Sequence, residues 1–428
     1  MTLRLPARAA LGAAASAATL TAVALAPSAR AAQGDTALKV VPSGATRQLG
    51  GYAPQRLALS ADKPASVKKV PGGLSAPRYG VLNFGPASAP RAIVFLLDEP
   101  AGADARLFVD ANSNGDLTDD PKAEWVKAPY AGGQPYSMYR GAAQVPLTVG
   151  GRATPVSLSL YRFDPTDPQR QVQKDFLLYY RDYALTGMLN LGGKTYPVTL
   201  DDRAAKGDFG DPAAVDVLLD VNANGRIDSR GERFTLAKPF NVGGTTYDAS
   251  AVTAGEGGVA LRLAKSAQTV AEVTAPPNLN PGKPAPTFAV TTTDGVKRSF
   301  PADYKGKLVL LDFWATWCGP CIAELPTLTR VASTYQSKGL EVLGVSLDRE
   351  NWAEKLAAFT KEKNMPWPQV YDGKYWEAEI SRLYGVSGIP AAFLVDGDTG
   401  QIVASGNDLR GEKLEATVQA ALAKKKAR

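Results

Sequence analysis

The chain has 428 residues, 45% of them hydrophobic and 21% charged, enough for two or three domains with apolar cores. It contains no histidine, which excludes Ser-His-Asp and Cys-His catalysis, an imidazole base and His-ligated zinc or haem. The formal charge is +6, and only two cysteines are present, so neither a disulfide scaffold nor a four-thiol zinc site can form.

Arg4 and Arg8 precede an uncharged Ala- and Leu-rich run over 9–26. Ala29-Arg30-Ala31 then offers small residues at the two positions a signal peptidase reads. Residues 1–31 are therefore expected to be a cleaved Sec-type export signal, with the protein periplasmic or extracellular. An uncleaved anchor is the alternative, but the run is short and weakly apolar for a span. No cysteine lies near the cleavage point, which excludes a lipoprotein, and no arginine pair suggests twin-arginine export.

Residues 32–80, rich in Ala, Gly, Pro and Ser, read as a linker with early strands. Residues 81–273 read as all-β. The runs 92–97, 107–109, 156–160, 217–219 and 259–263 are short, β-branched or alternating, and separated by turn residues. Gly150-Gly151, Gly192-Gly193 and Gly243-Gly244 each follow a short apolar run and predict hairpins. A longer repeat sets residues 107–115 against 217–225, which points to two related β units.

Each repeat carries the opening of a calcium loop. In the first, Asp110, Asn112, Asn114, Gly115 and Asp116 alternate oxygen side chains before a sharp turn. In the second, Asp220, Asn222, Asn224 and Gly225 do the same. The usual bidentate Glu is replaced by Pro121 and Gly231. Asp119 or Asp120, and Asp228 or Glu232, stand close enough in sequence to substitute. The preceding runs are strands, so these are not EF-hands. The residues suit either calcium in at least one loop or a pair of Asx-rich turns that bind nothing.

Residues 274–287 form a Pro-rich joint, expected to be extended and stiff. Strands and helices alternate beyond it. Strands are predicted at 308–313, 340–347, 391–395 and 401–404, and helices at 319–336, 351–363, 376–384 and 412–425. That alternation predicts an α/β layer fold with a largely parallel centre. The tail residues Lys424, Lys425, Lys426 and Arg428 read as a basic helix end favoured by the helix dipole, and no nucleic-acid partner is expected.

The cysteines sit where the 308–313 strand gives way to a helix. Cys318 and Cys321, i and i+3, share a helix face within disulfide reach. Cys318 falls at the helix N-terminus, where free amides and the dipole stabilise a thiolate. Cys321, one turn in, would attack second. A purely structural bridge would close too short a loop to constrain much entropy.

Trp317-Cys318-Gly319-Pro320-Cys321 is similar to the thioredoxin motif. The wider run 311–326 and the upstream 282–288 resemble the exported TlpA/ResA branch of that superfamily. Residues 385–390 resemble the segment that carries the thioredoxin cis-proline. The resemblance covers about residues 281–425, and implies a thioredoxin fold with a redox-active Cys318–Cys321 pair and no further redox cofactor. By position, Asp312 matches the buried acid that accepts the proton of the resolving thiol, and Glu324 the acid typical of the branch. Pro326 matches the proline within the active-site helix. Trp317, Gly319, Pro320, Ile389 and Pro390 would bind substrate, the last two by holding an added strand.

The expected function is an exported thiol-disulfide oxidoreductase, a reductase of envelope protein disulfides. The family implies a membrane electron donor of DsbD/CcdA type. The rival reading is a surface module, binding protein, glycan or cell wall, with a tethered redox domain. A peroxidase is disfavoured: Pro284 to Phe288 also resembles the opening of peroxiredoxins, but those use a lone cysteine after Pro and Thr. The oligomeric state is not legible.

Overall fold

The computed structural model describes residues 35–49, 52–130, 136–254 and 258–427, so the expected export signal lies outside the described residues. The N-terminal part is built from antiparallel sheets of eight, five and three strands. Each Gly-Gly pair turns a hairpin, joining Ser137–Val149 to Arg152–Phe163, Ala184–Leu191 to Lys194–Asp202, and Phe240–Val242 to Thr245–Ala254. Two-residue turns of this kind match the twist of the strands they connect.

The apolar run at 92–97 lies in the strand Arg91–Asp98, and from Ile93 to Leu97 it is buried on both faces. Ile93, Phe95 and Leu97 enter the main core, while Val94 and Leu96 pack in a smaller cluster with Val67, Tyr79 and Leu117. Alternate side chains point to opposite faces of a strand, so a continuous apolar run requires cover on both sides.

The repeat is visible in the order of elements. The strands Arg91–Asp98 and Arg106–Asp110 lead into the first Asp/Asn loop, and Lys194–Asp202 and Val215–Leu219 lead into the second. Each loop is followed by a strand and then a Gly-Gly hairpin. The two halves share one core, and the matching positions Leu107 and Val217 are both buried in it.

Thr36–Val41 is not part of a linker. It lies within the eight-stranded sheet, between Ala184–Leu191 and Gly258–Lys265. Only Leu38 among its residues is buried, so the strand is held by ladder bonds on both edges rather than by an apolar pattern.

The C-terminal part has a second, separate core around a five-stranded sheet. Its order is Gln369–Tyr371, Leu340–Ser346, Leu308–Trp314, Ala391–Asp396, Ile402–Ser405. Every residue of the central strand Leu308–Trp314 is buried. That strand is parallel to Leu340–Ser346 but antiparallel to Ala391–Asp396. The sheet is therefore mixed rather than largely parallel. The last two strands are joined by a short hairpin that needs no helical crossover. Helix Gly319–Gln336 packs on Leu340–Ser346 and on helix Lys413–Lys426, and it contains Pro326. The helix predicted at 376–384 is broken into a 3-10 turn, Tyr375–Glu377, and a short helix, Glu379–Leu383.

Candidate active site

Cys318 and Cys321 are joined by a disulfide, with Cα atoms 5.2 Å apart. Cys318 is the N-cap of helix Gly319–Gln336, and its Sγ accepts a hydrogen bond from the Cys321 amide at 3.2 Å. Pro320 fits the first turn, where a missing N–H costs nothing. Both cysteines are only 4% exposed, so burial does not distinguish them in this oxidised state. The cap does: the free amides and the positive end of the dipole meet at Cys318.

The turn before Cys318 is fixed by a residue that sequence reasoning passes over. Asp348 is fully buried, and its carboxylate accepts from the Thr316 hydroxyl at 2.7 Å and the Ser346 hydroxyl at 2.8 Å. It also accepts from the Thr316 amide. Trp317 is 37% exposed, and its indole N–H donates to the Leu347 carbonyl at 3.3 Å. Its ring meets those of Tyr375 and Trp376, with centroids 5.1 and 5.8 Å away. Arg349 lies over Tyr375. These rings form a wall beside the cysteine pair that only the folded chain assembles.

Asp312 stands on the central strand and is buried. Burial pushes its pKa up to about 7; the Arg410 cation lowers it and the Glu324 carboxylate raises it. Glu324 accepts from the Arg410 guanidinium at 2.7 Å. The structure thus brings Asp312 and Glu324 together and adds Arg410, from the segment before helix Lys413–Lys426. Nothing local in the sequence marks it.

The Ile389–Pro390 peptide bond is cis. Phe313 pairs with Ala391, so Pro390 lies at the end of the sheet where the chain leaves Trp314 for Cys318. Ile389 and Pro390 are both half-buried there.

The two Asp/Asn loops share one set of hydrogen bonds. Asp110 accepts from the Asn114 and Gly115 amides, and Asp220 from those of Asn224 and Gly225. Asn112 accepts from the Asn114 amide, and Asn222 from that of Asn224. Asp120 accepts from the Asn112 amide and Glu232 from the Asn222 amide. The side-chain amides of the paired asparagines donate to Asp119 in the first loop and to Asp228 in the second. Asp116 is the exception among the expected ligands: its carboxylate turns to Lys69 and Thr118. Among the described residues, no group of three or more His, Cys, Asp or Glu converges closely enough to hold a metal ion. Burial raises the pKa of Asp120 and of Glu232, and the neighbouring carboxylates add to both shifts.

Comparison with known proteins reaches only the C-terminal part. The AhpC/TSA family matches residues 281–405. Thiol-disulfide oxidoreductase ResA of Bacillus thuringiensis subsp. konkukian is 35% identical over 143 residues, which are 33% of this chain and 77% of that protein. The thioredoxin-like protein YneN of Bacillus subtilis is 36% identical over 116 residues, 27% of this chain and 65% of that one. A solved thioredoxin domain of a thiol-disulfide oxidoreductase from Bacteroides vulgatus is 35% identical, covering 34% of this chain and 99% of its own, with a TM-score of 0.30. A Cys318–Cys321 pair capping a helix, on a third of the chain that aligns with most of a ResA protein, places the chain in the ResA family of thiol-disulfide oxidoreductases.

Proposed function

We propose that the chain is an exported reductase of protein disulfides in the cell envelope. The observation that carries this reading is the Cys318–Cys321 disulfide at a helix N-terminus; the strand that leads to it carries a buried Asp312 whose pKa burial pushes up to about 7. In the reduced enzyme, the Cys318 thiolate attacks a substrate disulfide. One S–S bond breaks, a mixed disulfide forms, and the first substrate thiolate leaves and takes up a proton. Asp312 then accepts the proton of the Cys321 thiol. The resulting thiolate attacks Cys318 Sγ, expels the second substrate thiolate and closes Cys318–Cys321. Two electrons have passed to the substrate, and a membrane donor of DsbD/CcdA type returns them.

Trp317, Gly319, Pro320, Ile389 and Pro390 would form the surface against which the substrate chain lies, with Ile389 offering backbone groups to an added strand. The rival reading, a binding module with a tethered redox domain, is not favoured by the comparisons, since the relatives matched are themselves oxidoreductases or thioredoxin-like. Among the described residues no helix is long and apolar enough to cross a membrane.

A Cys321→Ser variant tests the reading. It is expected to stall as a mixed disulfide on Cys318, with the partner identified by mass spectrometry of envelope fractions. No disulfide-linked partner, or a full chain unable to reduce insulin when supplied with a small dithiol, would remove its basis.

Calcium at the Asp/Asn loops is a separate proposal. Asp110 and Asp119 repel Asp120, and Asp220 and Asp228 repel Glu232, a repulsion that a cation would relieve once the loops drew these carboxylates closer than they stand here. Calorimetric titration should give binding heat in the wild type and none in an Asp110→Asn/Asp220→Asn variant; absence of heat in both overturns it.

A further inference from the structure

The Pro-rich joint is fastened rather than free. The Asn278 side-chain amide donates to the carbonyls of Asn222 and Ala223, at 3.3 and 2.7 Å. That of Asn280 donates to the Asn224 carbonyl at 2.7 Å. In return, the Asn222 side-chain amide donates to the Pro276 carbonyl at 3.0 Å. The second Asp/Asn loop therefore grips the joint by four hydrogen bonds.

Two glycines let the joint lie between the two parts of the chain. A Cβ on Gly231, in the β-rich part, would come within 2.4 Å of the Val273 carbonyl oxygen and 2.5 Å of the Ala275 nitrogen. A Cβ on Gly385, in the redox part, would meet the Pro276 ring at 2.6 Å. Both glycines also have φ in the left-handed region, at +77° and +59°. The joint is thus pressed between the loop and the segment leading to Pro390.

This arrangement leaves a cleft of about 760 Å³. Residues 228–230 of the loop form one wall, residues 274–277 the floor, and Trp376, Leu383, Val386 and Ser387 the other wall. The redox wall is continuous with the active site. The ring of Trp376 meets that of Trp317, which precedes Cys318, and Ser387 lies three residues before Pro390. Exposed apolar surface follows the same line: Trp317, Leu383 and Val273 are 37%, 38% and 50% exposed. The charges are unbalanced at one point. Arg382 pairs with Glu377, and Asp228 accepts from Asn222 and Asn224. Arg230 is exposed and has no acidic partner among the described residues.

We propose that this cleft binds the extended polypeptide flanking the reacting cysteine of a protein substrate, with an apolar side chain against Leu383 and a carboxylate at Arg230. The β-rich part is then one jaw of the substrate site. This rests on the reductase reading of Cys318 and Cys321, and it assigns the N-terminal part the task of selecting polypeptides over small disulfides.

The test uses the full chain, recycled by a small dithiol. It compares glutathione disulfide with two disulfide-capped cysteine peptides, one carrying Leu and Glu beside the cysteine, the other Leu and Lys. Arg230→Glu is expected to raise KM for the Glu peptide about ten-fold, equivalent to about 1.4 kcal/mol, and to lower it for the Lys peptide. Its turnover of glutathione disulfide should match the wild type. An Asn278→Ala/Asn280→Ala variant, which loosens the grip without touching the cleft wall, should raise KM for both peptides several-fold and leave glutathione disulfide unchanged. Equal KM values for the two peptides in wild type and Arg230→Glu overturn the proposal. Failure of the wild type on all three substrates instead overturns the reductase reading, and the cleft's role with it.

Discussion

Asp312 is the residue whose chemistry and stability pull against each other. A buried carboxyl with a pKa of about 7 is ionised only at a cost the fold must carry. The folded pKa is raised above the unfolded one, so the stabilising contribution is present below about pH 4 and is lost as pH rises towards about 7. Asp312→Asn, which cannot ionise, should therefore be more stable than the wild type at about pH 8, by up to about 4 kcal/mol, with the difference vanishing near pH 4. Urea melts across that range measure it; equal stability at both ends would mean Asp312 is not the buried acid described. The same group should set the pH at which Cys321 resolves a mixed disulfide. Glu324 and Arg410 are the charged groups that act on it, and with opposite sign. Arg410→Gln removes the cation and leaves Glu324 unpaired, so the rise in resolution rate should move to higher pH. Glu324→Gln does the reverse and should move it lower. Single-turnover rates against pH distinguish these shifts from a general loss of structure, which would lower the rate at every pH.

The elements that can be read from the chain are those whose information is local. The strand runs at 156–160 and 217–219, the three Gly-Gly hairpins and the helix that starts at Cys318 all carry their patterns within a few residues. Asp348 and Arg410 are not legible, because each acts through a partner distant in sequence, 32 residues away for Asp348 and 86 for Arg410. Thr36–Val41 is hidden for a related reason: its place depends on two strands from distant sequence, not on its own pattern. The Asp/Asn loops are legible as a repeat, but the direction of each side chain is not, so Asp116 reads as a ligand when it faces Lys69. The loops also make a prediction of their own. Asp220 accepts the backbone amides of Asn224 and Gly225; the first is shared with the Asn222 side chain, so the Gly225 amide is the one that would lose its partner. Asp220→Ala should destabilise the β-rich part by about 1–3 kcal/mol, read as a lower urea midpoint. A midpoint within experimental error of the wild type would mean that water replaces the carboxylate at no cost.

At the scale of the whole molecule, the described residues hold two large apolar cores that share no residue, bridged by the joint and its four hydrogen bonds. Each such bond contributes about 0.5–1.5 kcal/mol net, so the coupling between the parts amounts to a few kcal/mol. Emptying part of one core by a Leu→Ala change costs about 2–5 kcal/mol, which falls on that core alone unless the coupling transmits it. Calorimetry of the full chain should therefore resolve two transitions rather than one. Leu158→Ala, deep in the β-rich core, should lower one of them and leave the other near its place. Leu311→Ala, deep in the redox core, should do the opposite. Adding Asn278→Ala/Asn280→Ala to either variant should make the two transitions still more independent, because only the Asn222–Pro276 bond of the four would then remain. A single transition lowered equally by both core variants would show that the jaws of the cleft unfold as one body, and that the joint is stronger than its hydrogen bonds.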